Sequence, residues 1–121
     1  MKPEELILRY NFHDSLLEGI KYDEDLNALI LEVDFCNWAQ EDYTSDIPET
    51  MIIQLCFNGV IEISNHSVYV ESSTISESRI VKSNKGVGIM FLVLRDYPSG
   101  DNGVDTIQIF AESVDIIENL P

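Results

Sequence analysis

The strongest constraint on this chain is a two-residue alternation. Along residues 29–36, Leu29, Leu31, Val33 and Phe35 fall on one face of an extended chain, and Ile30, Glu32, Asp34 and Cys36 on the other. An apolar face opposite a partly charged one marks a half-buried antiparallel strand. The same period runs through Met51, Ile53, Leu55 and Phe57. Ile61 and Ile63 carry that parity past Gly59, which favours one long bent strand over a turn at Asn58-Gly59. Residues 16–22 read as a first short strand, joined to 29–36 through the polar turn Asp23-Glu24-Asp25. Further strands are expected at 75–82, 104–111 and 114–118, with a short edge strand around Val68 and Val70 inside a loop. Residues 87–94 are almost wholly apolar and predict a central strand covered on both faces. Residues 83–86 and 97–103 carry the Gly, Pro, Asn and Ser of turns.

No long helical pattern is present. Pro3-Glu4-Glu5 suits a single helical turn, with proline first and acids at the positive end of the dipole. The expected fold is mainly β, with room for one short helix. It is a curved antiparallel sheet, sandwich or partly open barrel of about seven to eight strands. At 121 residues it is expected to form a single domain, 1–121. No apolar run nears the roughly 20 residues of a membrane span.

Charge narrows the classes of partner. There are 22 acids against 7 bases, a net charge of −15. Residues 22–78 contain no Lys or Arg at all. A surface of this sign disfavours direct contact with a nucleic-acid backbone or an anionic membrane, both of which need cations. It suits a basic protein partner, whose approach would be steered and salt-sensitive. Solubility alone is the plainer reading of the same charge. The N-terminal segment lacks the pattern of a secretory signal, and Cys36 and Cys56 form no Cys-x-x-Cys pair. Both cysteines are expected as buried free thiols in a cytoplasmic protein.

Reactive constellations are weak. His13-Asp14 would need further ligands to hold a metal, and His66 is the only other histidine. The plainer role of Phe12-His13-Asp14-Ser15 is structural: Asp14 and Ser15 bond nearby backbone at the entry to the first strand, and Phe12 anchors it in the core. Glu32 and Asp34 project from one strand face, where solvation is the simple reading and carboxylate-pair hydrolysis the sharper one. Asp23-Glu24-Asp25 lacks the ordered ligand series of a calcium loop. Gly86-Val87-Gly88 lacks the rest of a phosphate loop. Cys56, set between Leu55 and Phe57, is expected to be buried rather than nucleophilic. No catalytic residue, cofactor or metal is expected, and the chain is read as a non-enzyme.

Tyr10-Asn11-Phe12-His13-Asp14-Ser15, followed by Ile20 and the strand Leu29-Ile30-Leu31-Glu32-Val33, resembles a group of small bacterial proteins with a Phe-His-Asp-Ser segment feeding a β-hairpin. Leu55-Cys56-Phe57-Asn58-Gly59-Val60 and Ile107-Gln108-Ile109-Phe110-Ala111-Glu112-Ser113-Val114 are similar to later strands of that group. Some of its members are immunity proteins of polymorphic toxin systems. The resemblance implies an all-β or α+β scaffold without enzymatic activity, and it supplies no functional residues.

Three functions are therefore weighed: an acidic, non-enzymatic binding protein, in the manner of an immunity-type inhibitor of a basic toxin or effector; an acidic mimic of nucleic acid that inhibits a DNA- or RNA-handling protein; and a carboxylate-based hydrolase. The expected partner surface is the loop 37–50, through Trp38, Glu41, Asp42, Tyr43, Asp46 and Glu49, which joins two firm strands. Against this stands a Trp38 folded back to cap the core. A homodimer is a further expectation, drawn from the second apolar face of 87–94.

Overall fold

The computed structural model describes residues 1–64, 73–96 and 102–118. Six antiparallel strands follow a short helix: α1 (Pro3–Arg9), β1 (Leu16–Asp23), β2 (Ala28–Cys36), β3 (Thr50–Ser64), β4 (Ser73–Ser83), β5 (Gly86–Asp96) and β6 (Asn102–Glu118). They close into a barrel in the order β1-β2-β3-β6-β5-β4. Among the described residues, no helix is long and apolar enough to cross a membrane.

The alternation dictates the barrel. Leu29, Leu31 and Val33 of β2, Leu55 and Phe57 of β3, Ile89 and Val93 of β5, and Ile107 and Ile109 of β6 point inward and are fully buried. Successive side chains alternate between faces, so each strand sends its other residues outward. β5 corrects the expectation of a strand covered on both faces. On its outward face Leu94 is 43% exposed and Met90 and Leu92 are half-buried, while Ile89, Phe91 and Val93 fill the core. A sheet curled on itself needs only its concave side dry, and the argument for a homodimer from this strand falls away.

The strand count is six among the described residues rather than seven or eight. The segments expected at 104–111 and 114–118 are one strand, β6, which pairs with β3 from Ile53↔Glu118 to Ser64↔Gln108. The edge strand expected around Val68 and Val70, and most of the turn expected at 97–103, lie outside the described residues. β3 is the single bent strand that its parity suggested, but Ile61 is 54% exposed. Gly59, at φ +63°, turns Val60 onto the core, and a register shift between Val60 and Glu62 restores Ile63 to the inner side. Two one-residue irregularities cancel, so the parity survives across them.

Gly88 explains a buried outward ring. A Cβ there would lie 2.5 Å from the Ile109 carbonyl oxygen and 2.7 Å from the Phe110 ring. The Phe110 ring therefore occupies the space a side chain would take at Gly88 and is only 4% exposed although its neighbours Ile109 and Ala111 face inward.

Helix α1 closes one end of the barrel. Pro3 occupies its first turn beside Glu4 and Glu5, and the Lys2 backbone N–H donates to Glu5 Oε1 at 3.4 Å. Leu6 is fully buried, and the helix packs across β4, β5 and β6. Met1 and Val114 exchange reciprocal backbone hydrogen bonds, 3.1 and 2.8 Å, which tie the start of the helix to β6.

Among the described residues, β1 and β4 pair at Leu16↔Thr74 and Leu17↔Ser73. The Phe12-His13-Asp14-Ser15 segment extends this seam. Asp14 N–H donates to the Ile75 carbonyl at 2.9 Å, and Ile75 N–H returns to the Ser15 carbonyl at 2.8 Å. His13 Nδ1 is 2.8 Å from the Ser76 carbonyl, which fixes the proton on that nitrogen, since a carbonyl can only accept. Asp14 has φ 67°, a left-handed turn that aspartate tolerates better than most residues. The buried Ser15 hydroxyl accepts the Cys36 N–H of β2 at 3.0 Å. The structural role expected of this motif is found, with one change: Asp14 bonds through its backbone, while its carboxylate lies 3.5 Å from His13 Nε2.

Candidate functional site

The segment Arg9–Asn11 leaves α1 at the mouth of the barrel, and the connection from β2 to β3 faces it. This connection opens with a single 3₁₀ turn, Asn37–Ala39. Asn37 is buried, and its Nδ2 donates to the Pro48 carbonyl at 3.0 Å; Trp38 N–H donates to the Glu49 carbonyl at 3.2 Å. The two ends of the long loop are thus tied together, so it projects as one body from the β2–β3 pair.

Gln40 joins the two walls. Its Oε1 accepts the Asn11 N–H at 2.9 Å, and its Nε2 donates to the Asn11 carbonyl at 2.7 Å and to the Cys36 carbonyl at 2.9 Å. A side-chain amide matches a backbone peptide in both donor and acceptor, so one residue satisfies what a strand neighbour would have supplied. Neither the composition nor the period of the sequence marks Gln40; only its placement opposite Asn11 gives it this role.

Between the walls runs a groove of about 750 Å³. Tyr10, Phe35 and Met51 contribute its apolar lining, Leu8 and Ile47 flank it, and Glu41, Asp42 and Glu118 bring carboxylates. Among the described residues of the lining Arg9 is the one cation, and its guanidinium is 3.4 Å from Glu5. A narrow apolar extension of about 40 Å³ continues inward past Phe12, Ile53 and Ile116, with Glu118 again at its edge. The ring series Tyr10–Phe35–Phe12–Phe91, with centroid separations of 6.0, 5.3 and 5.4 Å, carries this lining into the core. Edge-to-face packing of this kind holds the rings in fixed orientations.

The six expected partner-binding residues divide. Glu41 and Asp42 are exposed and line the groove. Trp38 is 45% exposed, which removes the alternative in which it caps the core. Trp38, Tyr43, Asp46 and Glu49 belong to the same loop but not to the groove lining. The Thr44 hydroxyl donates to Asp46 Oδ1, and this bond holds the Asp46 carboxyl below its usual range. Leu8, Tyr10, Ile47, Met51 and Glu118 complete the groove and were not foreseen; they come from four separate segments that only the barrel closure assembles.

The remaining candidates lie elsewhere. Glu32 and Asp34 sit on the outer face of β2, opposite Gln54 and Ile52 of β3. Cys36 is buried as expected, whereas Cys56 is only half-buried, on the outward parity of β3, with Sγ 3.7 Å from Asn58 Oδ1. Burial raises both thiol pKa values, opposed at Cys36 by the Ser15 hydroxyl and reinforced at Cys56 by Asp115. His66 lies outside the described residues. Among the described residues, no three His, Cys, Asp or Glu side chains gather as a metal site. Comparison with protein-family models, with curated proteins and with solved structures finds no match to this chain.

Proposed function

We propose that this protein is a non-enzymatic, acidic binding protein that captures a basic protein partner, in the manner of an immunity-type inhibitor of a basic toxin or effector. The observation that carries this reading is the loop 37–50: tied at both ends and bridged to the opposite wall by Gln40, it presents Trp38, Glu41 and Asp42 to solvent. Aromatic anchors beside charges on a fixed frame make a binding surface rather than a catalytic one. The resemblance of the Phe-His-Asp-Ser segment to bacterial immunity proteins points the same way.

The test is affinity capture from the native host, followed by association kinetics with the recovered partner at low and high salt. A partner of high isoelectric point is expected, with an on-rate that falls with salt and falls again in the Glu41→Lys, Asp42→Lys double variant. Recovery of no basic partner, or of one indifferent to the reversal, overturns the proposal.

A further inference from the structure

We infer that the groove itself seats a basic, amphipathic segment of the partner, with apolar side chains against Tyr10, Met51 and Leu8 and Lys or Arg side chains against Glu118 and Asp42. This rests on the reading of the protein as a binder of basic proteins, and it moves the contact from the crest of the loop to the cleft behind it.

Three features select that occupant. Charge is the first. Among the described lining residues three carboxylates accompany one guanidinium, and that guanidinium already has Glu5 as a partner. A phosphate or carboxylate ligand would be repelled, while a cationic side chain is drawn in. The second is the pairing of surfaces. The apolar extension past Phe12, Ile53 and Ile116 has Glu118 at its edge. An apolar recess with a carboxylate at its lip suits a segment of mixed character, whose apolar side chain covers the recess while a neighbouring Lys or Arg meets Glu118. The third is the rim. Leu8, 75% exposed, and Ile47, 40% exposed, stand on opposite walls. Large apolar side chains held in water on both sides of a cleft favour a protein segment over a small polar solute. The Gln40 bridge fixes the spacing of the walls beforehand, which lowers the ordering cost of binding.

The probe is the acetylated, amidated hexapeptide Lys-Leu-Lys-Leu-Lys-Leu, titrated into the ¹⁵N-labelled protein, with its Glu-Leu counterpart as control. The expected shift changes concentrate at Tyr10, Asn11, Gln40, Met51 and Glu118, and the acidic peptide produces none. Glu118→Gln with Asp42→Asn is expected to weaken binding roughly threefold to tenfold, as for rim charges. Glu32→Gln with Asp34→Asn, which removes the same charge from the outer face of β2, is expected to leave it within about twofold. Leu8→Ser tests the apolar wall at an exposed position that folding does not depend on, and it too is expected to weaken binding. Shift changes spread over all acidic surfaces, or equal weakening by the two charge pairs, overturn the inference. A native partner that responds to Glu41→Lys, Asp42→Lys yet is not displaced by the Lys-Leu peptide overturns the groove alone. A peptide seated in the groove together with affinity capture that recovers no basic partner overturns the proposed function alone.

Discussion

Two irregular segments bracket the β1–β2 hairpin, and they serve opposite purposes. Phe12–Ser15 and the loop 37–50 are both polar, both outside regular strands and both supplied with an aromatic residue. In the first, Phe12 and Ser15 are fully buried and the backbone bonds to β4. In the second, Trp38 is 45% exposed and the bonding is internal, apart from Gln40 and the Ala39 carbonyl, which both bond Asn11. The difference lies in what runs alongside. β4 leaves an edge with unmet backbone groups, and a buried edge must be satisfied, so Phe12–Ser15 is drawn in as the latch of the barrel. No strand edge lies beside the crest of the loop, which is left to face water. An irregular segment becomes structural where a sheet needs it and becomes a presented surface where no sheet does.

The sharpest way to break this contrast is to truncate the latch aromatic. Phe12→Ala should cost roughly 3–5 kcal/mol in chemical denaturation, because it empties a site between the Phe35 and Phe91 rings. Next in size, Ser15→Ala should cost about 1–3 kcal/mol by stranding the buried Cys36 N–H. Hydrogen exchange should accelerate at Cys36 and Ile75 well before it does at Phe57. Trp38→Ala, with nearly half of its surface already in water, should cost only about 1 kcal/mol. A loss as large as that of Phe12→Ala would erase the distinction between the two segments. Glu41→Lys with Asp42→Lys should change stability by less than about 0.5 kcal/mol.

The smallest expected effect concerns protonation. The Thr44 hydroxyl depresses the Asp46 pKa. The turn is therefore favoured at pH values above the ordinary carboxylate range and loses that contribution as pH falls through the depressed value. Thr44→Ala should return Asp46 to the ordinary range in carboxyl-detected NMR, and an unchanged titration would remove this bond from the account of the loop.

Much of the barrel was legible in the chain because strand burial has a period of two and the inner residues keep it. Leu29, Leu31, Val33 and Phe35 are all buried as their spacing requires. Curvature was not legible: nothing in the apolar run 87–94 shows that one of its faces will meet water, since that depends on the sheet closing. Ile61 was misplaced because the turn at Gly59 and the shift after Val60 leave no trace once they cancel. For the candidate site, the loop was visible through its length and its acids. Gln40 and Glu118 were not, because pairing across a groove between distant segments has no local pattern.

The join between β1 and β4 also bears on how the chain reaches this shape. His13 and Ser76 are 63 residues apart in sequence, whereas β4 and β5 meet across a tight turn. Contacts between distant residues carry the larger loop-closure entropy and form late in folding. By that measure the β1–β4 closure and the β3–β6 ladder, which reaches from Ile53 to Glu118, are both expected to form after the β4–β5 hairpin. Substitutions in the latch should leave the folding rate almost untouched and quicken unfolding, with φ-values near zero at Ser15. With φ-values that low, the latch sets part of the unfolding rate, and so part of the native lifetime, out of proportion to its length.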